Sequence, residues 1–144
     1  MTCLAVSGNL LAIGYSNGTV LVYNLEVQVS EEETRDKVSA SRFELAHQFS
    51  FHKSIVTCLV FSGEGATQLV SGSADTYIII YDLVASTADF KLMGHSDIIT
   101  QLQPLVTPHP TRGTAQKSLI SSSKDGLLKI WDLESQRCVG SYGE

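Results

Sequence analysis

The chain has 144 residues, which is long enough for a domain with a buried core. Its 15 acidic residues outnumber its 10 basic ones, which argues against a protein that binds nucleic acid by itself, because such proteins usually carry a basic surface. No apolar run approaches the roughly 18 residues of a membrane-spanning helix, and we expect no signal peptide because the first segment lacks a charged leader. The three cysteines form no C-x-x-C pair, so we expect free thiols in a reducing compartment, the cytosol or the nucleus.

Short apolar segments separated by turn residues run along the chain and predict β-strands almost throughout. Asn17-Gly18 lies between two such segments and is a strong hairpin signal, because both residues tolerate positive φ. No long stretch repeats apolar residues at helical spacing, so we predict almost no helix. The twelve predicted strands are Thr2–Val6, Leu10–Tyr15, Thr19–Leu25, Phe43–Phe49, Ile55–Phe61, Gln68–Gly72, Tyr77–Leu83, Phe90–Leu92, Ile98–Leu105, Ser118–Ser122, Leu127–Leu133 and Cys138–Tyr142.

Several of these strands are continuous apolar runs. Thr19–Tyr23 and Tyr77–Tyr81 have no polar face. Such runs are expected where both faces of a strand are buried. They therefore favour sheets stacked between other sheets over a sandwich with one face in water.

Two segments interrupt the succession of strands and are predicted to be loops. Glu26–Arg42 is rich in charge, although Ser30 and Glu33 would also suit the start of a short helix or partner-docking segment. Gln103–Lys117 contains three prolines, which cannot donate to a strand ladder.

One cassette occurs three times along the chain. It consists of an acidic or amide residue in a turn, five mostly apolar residues, an aromatic residue, Asp or Asn, and Leu, and its copies are Asn17–Leu25, Asp75–Leu83 and Asp125–Leu133. A repeat of about 50 residues indicates an array of like structural units. We expect three units, at about 1–50 with an acidic insertion at 26–42, about 51–93, and about 94–144 with a loop insertion at 103–117.

The second and third units each contain the residue types of a hydrolase triad together with an aromatic residue. These residues are His52, Ser71, Asp75 and Tyr81 in the second unit, and His95, Ser121, Asp125 and Trp131 in the third. No G-x-S-x-G motif accompanies them, and an enzyme seldom repeats its triad in every unit. We interpret both sets as structural networks: Asp accepts from His, His bonds Ser, and Ser reaches the aromatic side chain, so that each buried polar atom has a partner.

The chain offers no other pattern of catalytic, metal or cofactor chemistry. Its four histidines lack the short spacings of metal ligands; they are His47, His52, His95 and His109. We therefore predict no catalytic residue, no metal and no cofactor.

At Gly94-His95, Ser121, Asp125 and Trp131-Asp132 the chain resembles the WD-repeat family of β-propellers. The resemblance covers nearly the whole chain as three repeats and is weakest in the first, which has Tyr23-Asn24 in place of Trp-Asp. It implies an all-β fold of three four-stranded antiparallel blades. It also implies a buried His–Ser–Asp–Trp network at the residues named above. Because propellers typically have four to eight blades, three blades would make an incomplete propeller.

A more specific resemblance is carried by Leu11–Val20, Ser71–Ile79 and Ser121–Leu133. These segments are similar to the early blades of a large tandem-propeller WD protein of the small-subunit processome, the nucleolar assembly that processes ribosomal RNA precursors. The resemblance implies a non-enzymatic scaffold in the nucleolus whose partners are other protein subunits, with RNA contact indirect or weak and no membrane contact. A WD-repeat adaptor that recognises a peptide partner in signalling or ubiquitin ligation is the alternative. The apolar flanks of three blades further predict that the isolated chain self-associates, with two copies approximating a six-bladed ring.

Overall fold

The computed structural model describes residues 1–27, 41–108 and 115–143, which form three four-stranded antiparallel sheets. The first sheet contains β1 (Cys3–Ser7), β2 (Leu10–Gly14), β3 (Val20–Val27) and β4 (Ser41–Phe49). The second contains β5 (Val56–Ser62), β6 (Gln68–Ser73), β7 (Ile78–Asp82) and β8 (Thr87–Leu92). The third contains β9 (Ile99–Pro108), β10 (Ala115–Ser123), β11 (Leu127–Asp132) and β12 (Arg137–Gly143). The predicted all-β fold of twelve strands is confirmed, and the described residues add one 3₁₀ turn, Glu64–Ala66.

The turn between the second and third strands of each sheet has the same construction. In the first sheet the Thr19 amide donates to Asn17 Oδ1 at 3.0 Å, and Gly18 follows Asn17 with φ +90°. A Cβ at Gly18 would lie 2.2 Å from the carbonyl oxygen of His52, in the segment that precedes β5, so close packing as well as φ requires glycine here. The third sheet has Gly126 at this position, whereas the second has Thr76, a β-branched residue at φ +76°.

The second sheet is packed between the other two. On β7, Ile79 and Tyr81 belong to the hydrophobic cluster shared with the first sheet, and Ile78 and Ile80 belong to the cluster shared with the third. Successive side chains of a strand point to opposite faces, and none of these four is more than 3% exposed. Burial on both faces therefore explains the continuous apolar run of this strand.

The three sheets meet along their first strands. β5 packs against β1, and β9 packs against β5. The Thr2 hydroxyl donates to the Val56 carbonyl, and the Thr57 hydroxyl donates to the Ile99 carbonyl. The first and third sheets share neither hydrophobic cluster, so the sheets in the described part of the chain form an open arc rather than a closed ring.

The prediction of a loop over Gln103–Lys117 is wrong at both ends. β9 continues to Pro108 and β10 begins at Ala115, with Pro104 paired opposite Leu119. Among the described strands, β9 pairs only with β10 and lies at the edge of its sheet. An edge strand tolerates proline because one row of its backbone groups lies outside the ladder.

The predicted loop over Glu26–Arg42 is also shorter than expected, because β3 continues to Val27 and β4 begins at Ser41. The alternative helix at Ser30 and Glu33 lies outside the described residues, as do residues 109–114 of the other insertion.

Candidate functional site

The second sheet brings the four predicted residues of its set into hydrogen-bond contact. His52 Nδ1 lies 2.9 Å from Asp75 Oδ2, and His52 Nε2 lies 2.6 Å from Ser71 Oγ. The Ser71 oxygen is 2.9 Å from the Tyr81 hydroxyl. Ser71 and Tyr81 are fully buried, and His52 is 5% exposed.

The third sheet repeats this arrangement with nearly the same distances. His95 Nδ1 lies 2.9 Å from Asp125 Oδ2, and His95 Nε2 lies 2.7 Å from Ser121 Oγ. The Trp131 indole Nε1 donates to the Ser121 oxygen at 2.8 Å. Both predicted sets are therefore assembled in space, one in each sheet.

Each Asp joins its hairpin turn to the segment that precedes the first strand of its sheet. Asp125 accepts not only from His95 but also from the Ser96 amide at 3.0 Å and the Leu127 amide at 2.8 Å. Asp75 accepts from the corresponding amides of Lys53 and Tyr77. One carboxylate thus satisfies three donors that come from two separate parts of the chain.

These contacts also determine the charge of the Asp carboxylates. Burial alone would raise the pKa of Asp125, but the Ser96 amide, the His95 ring and the Leu127 amide together lower it to about 2. The pKa of Asp75 is likewise lowered: burial opposes the shift, but the Tyr77 and Lys53 amides outweigh it. Both side chains are therefore ionised at neutral pH.

In the third sheet, the donor at the far end of the set determines where the histidine proton lies. An indole N–H can only donate, so the Ser121 oxygen accepts from Trp131 and the Ser121 proton points to His95 Nε2. The His95 ring then carries its proton on Nδ1, facing Asp125. Burial lowers the pKa of His52, so that ring is neutral at pH 7. The ionised Asp75 carboxylate, 2.9 Å from His52 Nδ1, can only accept, so it favours the tautomer with the proton on Nδ1.

The distances match those of a catalytic Ser–His–Asp triad, but the accessibility does not. A triad serine must reach a substrate carbonyl. Ser71 and Ser121 both have 0% exposure, and each oxygen also contacts an aromatic side chain. What this geometry can do is link a turn, a preceding segment and two strands through one continuous polar path.

Among the described residues, the first sheet lacks this network. Ile13 occupies the position of Ser71 and Ser121, as the shared spacing to Asn17, Asp75 and Asp125 shows. The first sheet is therefore held by apolar packing and by its Asn17 turn.

A second serine in each network was missed. Ser73 donates to the Ile55 carbonyl at 2.8 Å and accepts from the Asp75 amide at 3.2 Å. Ser123 does the same with the carbonyl of Asp97 and the amide of Asp125. The Ser-x-Ser-x-Asp spacing of Ser71–Asp75 and of Ser121–Asp125 was a visible signal for this pair.

The Asp of the Tyr-Asp and Trp-Asp dipeptides has a separate role that was also missed. Asp82 accepts from the Val84 amide at 2.9 Å, and Asp132 accepts from the Glu134 amide at 3.1 Å and the Ser135 hydroxyl at 2.8 Å. These are side-chain caps of the turn into the fourth strand, a place where Asp is favoured.

Phe51 occupies the position that Gly94 has in the third sheet. A Cβ at Gly94 would lie 3.0 Å from Trp131 Cη2, whereas the smaller Tyr81 leaves room for the Phe51 ring, whose centroid is 6.4 Å away. Phe51 is 54% exposed and lines a cleft of about 210 Å³ together with Phe90 and Lys91.

Within the described ranges, no three His, Cys, Asp or Glu side chains gather in a group that could hold a metal ion. His47 lies in β4 with its Nδ1 2.7 Å from Ser86 Oγ, and His109 lies outside the described residues. In the same part of the chain, no helix is long and apolar enough to span a membrane.

Comparison with known proteins identifies one family. The family described as "WD domain, G-beta repeat" matches residues 43–82 and 86–132, which together make up more than half of the chain. The first sheet, which lacks the buried network, lies largely outside both matches.

Two curated relatives come from Saccharomyces cerevisiae. CCR4-associated factor 4 is 28% identical over 144 residues, which is 87% of this chain and 22% of that protein. U3 small nucleolar RNA-associated protein 12 is 35% identical over 134 residues, which is 93% of this chain and 12% of that protein. The chain thus spans less than a quarter of either relative.

A solved structure gives the fold. The crystal structure of the RRP9 WD40 repeats superimposes with a TM-score of 0.71 at 20% identity, covering 99% of this chain and 38% of that chain. At this identity the likeness concerns the fold alone.

Proposed function

The chain belongs to the WD-repeat family, and we propose that it is a non-enzymatic scaffold that holds protein subunits together in a large assembly. The observation that carries this proposal is the burial of both Ser–His–Asp sets, whose serine oxygens have no exposure. Since these residues are committed inside the sheets, the groups available to partners are those on strand edges, turns and open sheet faces. Surfaces of this kind bind other proteins.

We further propose that the assembly is the small-subunit processome and that the chain acts there in ribosomal RNA processing, in the nucleolus. Support comes from the 35% identity to U3 small nucleolar RNA-associated protein 12 over 93% of this chain. The net charge of −5 favours contact through protein subunits, because direct RNA binders gain affinity from Lys and Arg on phosphate.

The test is co-purification from cells. The chain would carry an affinity tag, and the recovered U3 small nucleolar RNA and ribosomal RNA precursor would be measured by quantitative reverse transcription. We expect both RNAs to be enriched over a tag-only control, and the protein partners to remain bound after ribonuclease treatment. Recovery of both RNAs at the tag-only level, from a chain that is folded and present in the nucleus, would refute the assignment.

The cleft beside Phe51 supports an alternative, an adaptor that binds a peptide in signalling or ubiquitin ligation. An exposed aromatic ring next to Phe90 and Lys91 would suit an apolar side chain flanked by an acidic one. Under this alternative, the parent chain would capture a protein partner but recover both RNAs only at the tag-only level. Phe51→Ser would abolish the capture and leave the RNA recovery unchanged. Phe43→Ser is the matched control, because Phe43 is 53% exposed and lies in β4 of the first sheet, outside the lining of this cleft.

A further inference from the structure

In the described part of the chain, two apolar sheet faces have no sheet packed against them. The first open face is the side of the first sheet that points away from the second, where Leu4, Val6 and Leu45 are 52–65% exposed. The third open face is the side of the third sheet that points away from the second, where Leu128 is 39% and Tyr142 is 61% exposed. Contiguous exposed apolar surface of this kind marks an interaction site.

The third open face resembles two faces that another sheet already covers, one on the first sheet and one on the second. Register places Leu128 opposite Tyr142, as it places Val20 opposite Phe49 in the first sheet and Ile78 opposite Leu92 in the second. The pairs in the first and second sheets are at most 3% exposed, because each is covered by the following sheet. The third sheet repeats the pair, and none of the described sheets covers it.

The first open face resembles the side of the second sheet that packs on the first sheet. Leu4 lies where the second sheet has Leu59, since Cys3 and Cys58 pair with Gly14 and Gly72 in the same register. Tyr23 lies where the second sheet has Tyr81. The chain therefore carries both halves of one repeated interface, each half at an opposite flank.

The threonine position that links each sheet to the following one also occurs in the third sheet. Thr2 and Thr57 each donate a hydroxyl proton to a carbonyl of the following sheet. Thr100 is the next threonine in this register, and its hydroxyl lies 2.8 Å from Ser122. It is therefore placed to donate to a carbonyl of a sheet that would cover the third open face.

The residue at one position of the third sheet limits which sheet can cover the third open face. Gly72 allows Ile99 to approach so closely that a Cβ on the glycine would lie 2.5 Å from Ile99 Cγ2. The third sheet has Ser122 at this position, so the incoming first strand cannot present a branched side chain there. The first sheet meets this condition, because the residue in the register of Ile99 is the unbranched Met1.

We propose that two copies of this chain associate head to tail, with the first open face of each copy packed on the third open face of the other. Such a contact pairs unlike surfaces and closes when its rotation returns to the start. Two copies would bring together six sheets, within the usual range of four to eight. This interaction is separate from the proposed role in ribosome assembly, so either can fail without the other.

Sedimentation of the purified chain tests the proposal. We expect a species of twice the 15.6 kDa chain mass at micromolar concentration. Leu4→Asp and Tyr142→Asp should each give monomers, because each removes one half of every contact. Val84→Asp is the matched control: Val84 is 81% exposed in the turn after β7, on neither open face, and this variant should stay dimeric.

Mixing the two monomeric variants tests the head-to-tail arrangement itself. Each variant retains one intact face, so an equimolar mixture should recover a dimer joined by a single contact. A parent that sediments as a folded monomer would overturn the proposal. So would a mixture that stays monomeric, or a single variant that remains dimeric, since like faces would then be paired. If near-ultraviolet circular dichroism shows that either Asp variant is unfolded, Leu4→Gln and Leu128→Gln replace the pair with the same expectations.

Discussion

Replacing Asp125 with Ala removes an acceptor that serves three donors at once. The His95 Nδ1 proton would lose its partner in a place where the histidine side chain has no exposure. The Ser96 and Leu127 amides would also lose their acceptor, but Ser96 is exposed, so water can replace the carboxylate there. The unpartnered His95 proton therefore makes the largest contribution to the loss of stability.

The size of the effect follows from these contacts. A buried donor left without a partner costs about 1–3 kcal/mol, and the loss of each amide contact adds about 0.5 kcal/mol. We expect the free energy of unfolding to fall by about 3 kcal/mol, which corresponds to a decrease in melting temperature of about 9 °C for a chain of this size. Asp75→Ala should cost about the same, because its three donors are equivalent.

Urea unfolding at 25 °C, followed by the fluorescence of Trp131, measures this difference directly. Asp89→Ala is the matched control, since Asp89 is an exposed carboxylate in β8 outside both networks, and it should change stability by less than about 0.5 kcal/mol. If Asp125→Ala unfolds at the same urea concentration as Asp89→Ala, the carboxylate does not hold the turn and the structural account of the network is wrong.

Three further predictions concern pH and the turns. Burial lowers the pKa of His52 below its usual 6.5 in the folded chain. The contribution of His52 to the free energy of unfolding is therefore fully present above about pH 6.5 and is lost as pH falls below it. A second loss, from Asp125, follows as pH falls from about 3.8 towards its folded pKa of about 2; urea unfolding that is unchanged between about pH 7 and about pH 5 would contradict the first part. Gly126→Ala should cost about 1 kcal/mol for its positive φ alone, but Gly18→Ala should cost clearly more, because its Cβ would meet the His52 carbonyl at 2.2 Å; equal costs in thermal melts would refute that reasoning. Thr76→Gly should raise stability by about 0.5 kcal/mol by relieving a β-branched residue at φ +76°, and a lower melting temperature would show that the Thr76 side chain contributes more than its strain costs.

Most of the fold could be predicted from the repeated cassette. A turn residue followed by apolar residues and an aromatic one specifies a hairpin with a definite register. That register places Asp125 in the turn and Trp131 on β11, diagonally across from Ser121 on β10. Because the same spacing recurs in the second unit, the contacts of Asp75 and Tyr81 followed from it as well.

The features that escaped prediction depend on neighbours that local sequence does not specify. Whether Pro104 ends a strand depends on whether that strand has one partner or two, and β9 has one. Whether Phe51 fits depends on the ring that lies across from it, which is Tyr81 rather than Trp131. Ser73 was different, since its spacing to Asp75 was visible but its acceptor, the Ile55 carbonyl, was not.

The central claim is that one polar path runs from an aromatic side chain through Ser and His to Asp in each of two sheets. Nitrogen-15 NMR of the histidine rings tests it most directly, because the ring nitrogens report which of the two carries the proton. The account predicts that Nδ1 carries a proton in both His52 and His95 at pH 7. A proton on Nε2 with none on Nδ1, in either ring, would contradict it, because the carboxylate of Asp75 or Asp125 would then lose its histidine donor.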